Sequence, residues 1–233
     1  MRSLLLLGLL AATAAGAQKF SSGEPRTHLL ELYSSEGCSS CPAAEEWLGE
    51  LRTAPGLWRD FVPVAFHVDY WDRLGWRDRF ARREFTARQS AWSSQWGSDT
   101  VYTPGFVLDG VEWRQGSARP PPASAEQAGT LSAEFGANGV CRVTFAPVGD
   151  FEVHVALLGG GIFSEVRAGE NGGRTLRHEF VVLALKSARF TDGGVEVNLP
   201  KSTDKAVARQ ALAVWVTRRG ELVPLQATGG WLD

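Results

Sequence analysis

Methionine is nearly absent: Met1 is the only one in 233 residues, so thioether ligands for a soft ion such as Cu(I) are missing. An excess of basic charge is missing too. Twenty-four Lys and Arg stand against 26 Asp and Glu, and no stretch concentrates them as a nucleic-acid footprint does. Nucleic acid is excluded as a partner on that ground. There are four histidines, scattered along the chain, and three cysteines, too few in clustered pairs for an obvious zinc site. Beyond residue 17 no apolar run approaches the roughly 20 residues that a bilayer span needs. What is present is ordinary for a globular protein: 44% hydrophobic and 21% charged residues, enough for a core and not a disordered or fibrous chain.

The first 17 residues read as an export signal. Arg2 supplies the positive start, Leu4 to Ala14 an apolar stretch, and Ala15-Gly16-Ala17 small residues at a cleavable spacing, which predicts a mature chain from Gln18. A membrane anchor would need a longer span, so the expectation is a secreted or periplasmic protein with no stable membrane insertion after cleavage.

Export makes disulfides possible and directs attention to Cys38 and Cys41, two residues apart, with Cys141 alone a hundred positions later. Leu29 to Ser35 reads as a buried strand, and Ala44, Trp47, Leu48 and Leu51 recur at helical spacing up to Pro55-Gly56. Pro42 suits a first helical turn. The pair therefore falls where a strand gives way to a helix N-terminus, whose unpaired N–H groups stabilise a thiolate below its free pKa of about 8.5. Cys38 is the predicted nucleophile and Cys41 the resolving thiol, flanked by Gly37, Ser39, Ser40 and Pro42. Two other readings stay open: an inert staple, weak because so short a loop removes little chain entropy, and half of a zinc site lacking a second pair. The expected cofactor is none, beyond a redox-active disulfide, and no metal is expected.

Phe61 to Val68 reads as a second strand, parallel to the first, with Pro63 arguing for an edge or an early strand position. His67 to Trp76 is rich in aromatics, and it leaves that strand on the same sheet edge as the cysteines. His67, Asp69, Tyr70 and Trp71 are candidates for a substrate surface; the alternative is a hydrogen-bonded core histidine and packing aromatics. Arg77 to Trp96 has Ala81, Phe85, Trp92 and Trp96 on one helical face and Arg79, Arg82 and Arg83 outward, a solvated face. Phe106 to Leu108, the Asp109-Gly110 turn and Val111 to Trp113 form a hairpin. The order strand, helix with CxxC, strand, helix, X-Pro, hairpin is the one a thioredoxin-like fold requires.

Four stretches, Glu36 to Pro42, His67 to Asp72, Leu74 to Trp76 and Tyr102-Thr103-Pro104, resemble DUF1223, a secreted family of the thioredoxin-like superfamily. The resemblance is strong over residues 28–116 and weaker beyond Cys141, where Ala168 to Leu176 carries it. It implies a cis proline at Thr103-Pro104 facing the CxxC pair, with the Tyr102-Thr103 backbone free to pair with an incoming peptide strand. Gly105 stands where relatives would carry a larger polar residue, which would loosen that loop. Pro120-Pro121-Pro122 and an Ala-rich stretch replace the later helix of the superfamily.

From Val140 onward short apolar segments alternate with Gly and Asn turns, and Val153, Val155 and Leu157 alternate with Glu152, His154 and Ala156 as in a half-buried strand. The expected architecture is an α/β thioredoxin-like domain over residues 18–118, a linker or short helix over 119–138, and a mainly β, sandwich-like domain over 139–233. Glu170, Asn171 and Arg174 lie in a Gly-rich turn with no assigned role, and Cys141 reads as a buried strand thiol. The function expected is an exported thiol–disulfide oxidoreductase acting on the thiols or disulfides of exported proteins with a further redox partner, which would dock along Thr103-Pro104. The alternatives are a non-catalytic binding protein with a structural disulfide and, weakened by the missing methionines, a copper-handling protein.

Overall fold

The computed structural model describes residues 16–114, 120–191, 194–200, 202 and 204–233. Residues 1–15 of the export signal expected over 1–17, and the expected boundary at 118–119, lie outside them. The elements run β1 (Gln18–Ser21), β2 (His28–Ser34), α1 (Cys41–Glu50), β3 (Phe61–His67), α2 (Arg83–Gln95), β4 (Gly105–Leu108), β5 (Val111–Glu112), β6 (Leu131–Phe135), β7 (Val140–Phe145) and β8 (Phe151–Gly160). Then follow β9 (Ile162–Glu165), β10 (Thr175–His178), β11 (Val181–Arg189), β12 (Val195–Asn198), β13 (Arg209–Arg218) and β14 (Pro224–Leu232). No helix among the described residues is long and apolar enough to cross a membrane.

Eight strands form one sheet in the order β14-β13-β8-β11-β3-β2-β4-β5, and β1-β6-β7-β12 form a second. A two-stranded ribbon, β9-β10, stands apart from both. The large sheet draws on both ends of the chain. β2 and β3 pair in parallel from His28 opposite Phe61 to Ser34 opposite His67. β3 then meets β11 in parallel at Ala65 and Val181, and β8, β13 and β14 continue antiparallel from there.

This corrects the expected fold class. Among the described residues the molecule is mostly β, 43% strand and 14% helix with two α-helices, and not an α/β thioredoxin-like domain followed by a separate β-sandwich. The physical reason lies in β8 and β13, which have two buried faces. Val153, Val155, Leu157, Leu212, Val214 and Val216 pack against Leu131, Ala133, Cys141 and Val143 of the second sheet. The alternate residues Ala156, Leu158, Ala211, Ala213 and Trp215 join Leu30, Leu32, Phe66, Leu48, Phe85 and Trp92 in the core that holds the helices. Glu152 and His154 are half-buried, as the alternation predicts, and from Ala156 onward both faces of β8 are buried.

Of the two positions expected for Pro63, an edge strand or an early place in a strand, the structure shows the second. β3 is interior to the sheet, but its N–H groups at residues 63 and 65 point the same way, and Ala65 N donates to Phe180 O at 2.8 Å where β11 arrives. Pro63 sits two residues earlier, where no neighbouring strand yet asks for its missing donor. The second helix also begins later than expected: α2 starts at Arg83 and buries Phe85, Gln89, Trp92 and Ser93, while Arg82 and Arg83 are exposed. Arg79 is exposed, pairs with Asp204 at 2.5 Å and lies over the Phe80 ring.

Candidate functional site

Cys38 and Cys41 are joined in a disulfide, with Cα atoms 5.4 Å apart. Cys41 is the first residue of α1, Pro42 follows in the first turn, and Cys38 lies just before the helix. The turn is set by its own backbone: Cys38 N donates to Ser35 O at 3.1 Å and Cys41 N to Cys38 O at 3.2 Å. Gly37 is needed there, since a Cβ at this position would stand 3.0 Å from the Cβ of Trp71. Cys141 is buried in the second core, where burial pushes its thiol up to about 12.

The expectation of an open Cys38 is corrected: the residue is 1% exposed and Cys41 is fully buried. The cover is the Gly-rich turn between β9 and β10. Asn171 Nδ2 donates to Glu36 O at 2.9 Å and to Cys38 O at 2.8 Å, Arg174 Nη1 donates to Asn171 Oδ1, and Glu170 Oε2 accepts from Ser39 N at 3.0 Å. Ser39 and Ser40 remain exposed, and Ser40 Oγ lies 3.4 Å from Cys38 Sγ. The backbone of the cysteine turn is thus held by the 168–174 turn on one side and packed by Trp71 on another.

The other predicted site residues fall into two groups. Trp71 bridges the cysteine turn to the loop before β4, packing against Gly37 and donating from Nε1 to Thr103 Oγ1 at 2.8 Å. Thr103-Pro104 is cis. Tyr102 O accepts from Gln89 Nε2 at 2.6 Å and its hydroxyl donates to Glu112, so this carbonyl is not free for an incoming strand. A Cβ at Gly105 would press on that same carbonyl at 3.1 Å. Asp69 accepts from Thr86 Oγ1 at 2.6 Å and anchors α2, while Tyr70 and Trp71 line an open groove with Arg73, Leu74 and Val101. His67 lines no surface at all: it is fully buried.

That burial reveals a cluster not foreseen in the sequence. His67 Nδ1 lies 2.6 Å from Asp78 Oδ2 and its Nε2 faces Glu45 Oε1 at 3.8 Å. His178 Nδ1 bonds the other oxygen of Glu45, and its Nε2 faces Glu36 Oε1 at 3.3 Å. Ser34 Oγ donates to Glu45 and Trp76 Nε1 to Glu36, and Asp78 also accepts from Glu36 N. Burial disfavours every one of these charges, yet the groups hold one another ionised. Glu45 and Glu36 lift His178 to about 10, His67 is raised by Asp78 and Glu45, and Asp78 is lowered to about 2. Glu36 and Glu45 stay below the usual carboxylate range, held there against burial chiefly by His178. One signal was available: Glu45 stands on the stripe Cys41, Glu45, Leu48 that α1 buries, where an acid is out of place. His178 is 133 residues away and gave no local signal.

The fold and site define a class: a mostly β protein of two packed sheets with a covered CxxC disulfide beside a buried histidine–carboxylate cluster. The chain belongs to the DUF1223 family, described as proteins of unknown function, whose pattern matches residues 29–217. A crystal structure of protein AGR_C_4864 from Agrobacterium tumefaciens is similar, at 24% identity over 90% of this chain and 95% of that one, with a TM-score of 0.63. HBP35 of Porphyromonas gingivalis is similar at 12% identity, over 91% of this chain and 77% of that one, with a TM-score of 0.53. Both likenesses concern the fold. No curated protein matches the chain.

Proposed function

We propose that this protein is an exported thiol–disulfide oxidoreductase that works through Cys38 and Cys41. The observation that carries the reading is the placement of the disulfide: at the start of α1, behind a single hydrogen-bonded turn, with the exposed Ser40 against the Cys38 sulfur. A thiolate of an exported protein attacks Cys38 Sγ, the bond to Cys41 breaks, and Cys41 leaves as thiolate. A second substrate thiolate then attacks the substrate sulfur of the mixed disulfide, which releases oxidised substrate and reduced Cys38; the reverse sequence reduces a substrate disulfide. The N–H groups opening α1 stabilise the thiolate formed there. Access requires the 168–174 turn to lift, because the sulfurs are buried with it in place. Export rests on residues 1–17, read as a cleavable signal.

A second reading has its own support. Cys38 and Cys41 lie between Glu36 and Glu45, so the disulfide also fixes the spacing of two acids of the buried cluster, as a structural bond in a binding protein would. The variant Cys41→Ala separates the two. Expected for an oxidoreductase are covalent adducts between Cys38 and exported proteins, released by reductant. No adduct, together with a Cys38 that titrates like a free thiol, refutes the exchange reading.

A further inference from the structure

We infer that Glu45, His67 and His178 form a binding site for one divalent transition-metal ion. Each of the three offers one ligand atom within 4.8 Å of the others, and all three side chains are buried. They come from three separate elements, α1, the end of β3 and the end of β10, so the site exists only in the folded chain. Two imidazoles and one carboxylate are a donor set suited to Zn(II) and its first-row neighbours, rather than to Ca(II) or Mg(II), which prefer oxygen throughout.

Three further observations point at an ion. First, His67 Nε2 is completely buried and has no hydrogen-bond partner, although it aims at Glu45. A buried ring nitrogen without a partner is costly, and coordination satisfies it. Second, each imidazole presents one nitrogen to Glu45 and the other to a further carboxylate: His67 to Asp78, His178 to Glu36. That is the outer arrangement which fixes ring orientation and tautomer in metal-binding histidines. Third, Glu45, unlike the two histidines, lines an open cleft of about 430 Å³ between α1 and β10, walled by Pro42, Glu46, Gly49 and Arg174, so the carboxylate side of the site adjoins solvent-accessible space. The charge count fits as well. A divalent ion with two neutral imidazoles carries the same charge as two imidazoliums, so its arrival adds none to the interior. This site lies outside the exchange step proposed above and stands or falls separately from it.

The test uses the full chain, stripped with chelator, dialysed and titrated with Zn(II) and, in parallel, Co(II). Expected are one equivalent bound per chain, visible Co(II) absorption bands of mixed nitrogen–oxygen coordination, and perturbation of the His67 and His178 ring signals in NMR spectra with Zn(II). Glu45→Gln keeps the shape and abolishes binding; Asp78→Asn, which alters the support of His67 without removing a ligand atom, weakens it by about 10–100-fold. Binding of neither ion by the folded wild-type chain overturns the assignment, and so does binding that leaves both ring signals unmoved. These wild-type readouts hold even if a variant fails to fold.

Discussion

The two larger hydrophobic cores of this molecule share the strands β8 and β13 and yet differ in what they enclose. The core between the sheets is made of Leu131, Ala133, Val143, Val153, Val155, Leu212 and Val214, with Cys141 as a small apolar filler. The core under the helices encloses charge. Arg88 forks onto Glu31 at 2.8 and 2.7 Å, Tyr33 donates to the same carboxylate, and the histidine–carboxylate cluster lies beside the disulfide. Burying ions costs several kcal/mol each unless they are paired, so a fold keeps them where they do something that apolar residues could not. The first core supplies stability; the second spends some of it on a site.

Substitutions that act on one core and not the other sharpen this contrast. The largest effect belongs to Arg88→Ala, which leaves Glu31 buried without a partner and lowers unfolding free energy by about 3–5 kcal/mol in denaturant titration. Leu131→Ala, in the dry core, costs about 2–5 kcal/mol by loss of buried surface and the cavity left behind, with no effect on Zn(II) binding or on the disulfide. A pH effect comes next. His154 stacks on Trp215, and burial, with Arg88 nearby, lowers its pKa to about 3. The unfolded imidazole takes a proton near the ordinary value of about 6.5 and the folded one does not, so this stability is complete above about pH 6.5 and is lost as pH falls toward 3. Wild type should lose more stability than His154→Gln between pH 7 and 4.5; equal losses contradict the assignment. The smallest effect is expected for Arg142→Ala, whose 2.5 Å pair with Glu196 is exposed and worth about 0–1 kcal/mol.

How much of this was legible in the sequence follows from distance along the chain. The strand of Leu29 to Ser35, the CxxC turn, the first-turn Pro42 and the Asp109-Gly110 hairpin depend on neighbours a few residues away, and local pattern carries them. The single parallel contact between Ala65 and Val181 joins the two halves into one sheet, and nothing local announces it. Without that pairing the alternation of β8 reads as a solvent-facing strand and the chain divides into two domains. The site divides in the same way. Cys38 and Cys41 stand in one local motif and Thr103 is named through the family resemblance; Asn171, which bonds the carbonyl of Cys38, and His178, which completes the cluster, arrive from the far side of the fold.

The exchange account is tested most directly by the rate at which dithiothreitol or glutathione reduces the Cys38–Cys41 disulfide in the native protein. Wild type is expected to be reduced reversibly without unfolding, and Glu170→Ala, which removes the acceptor held by Ser39 N, to be reduced faster. A disulfide that resists thiols until denaturant unfolds the chain, equally in both proteins, contradicts the account.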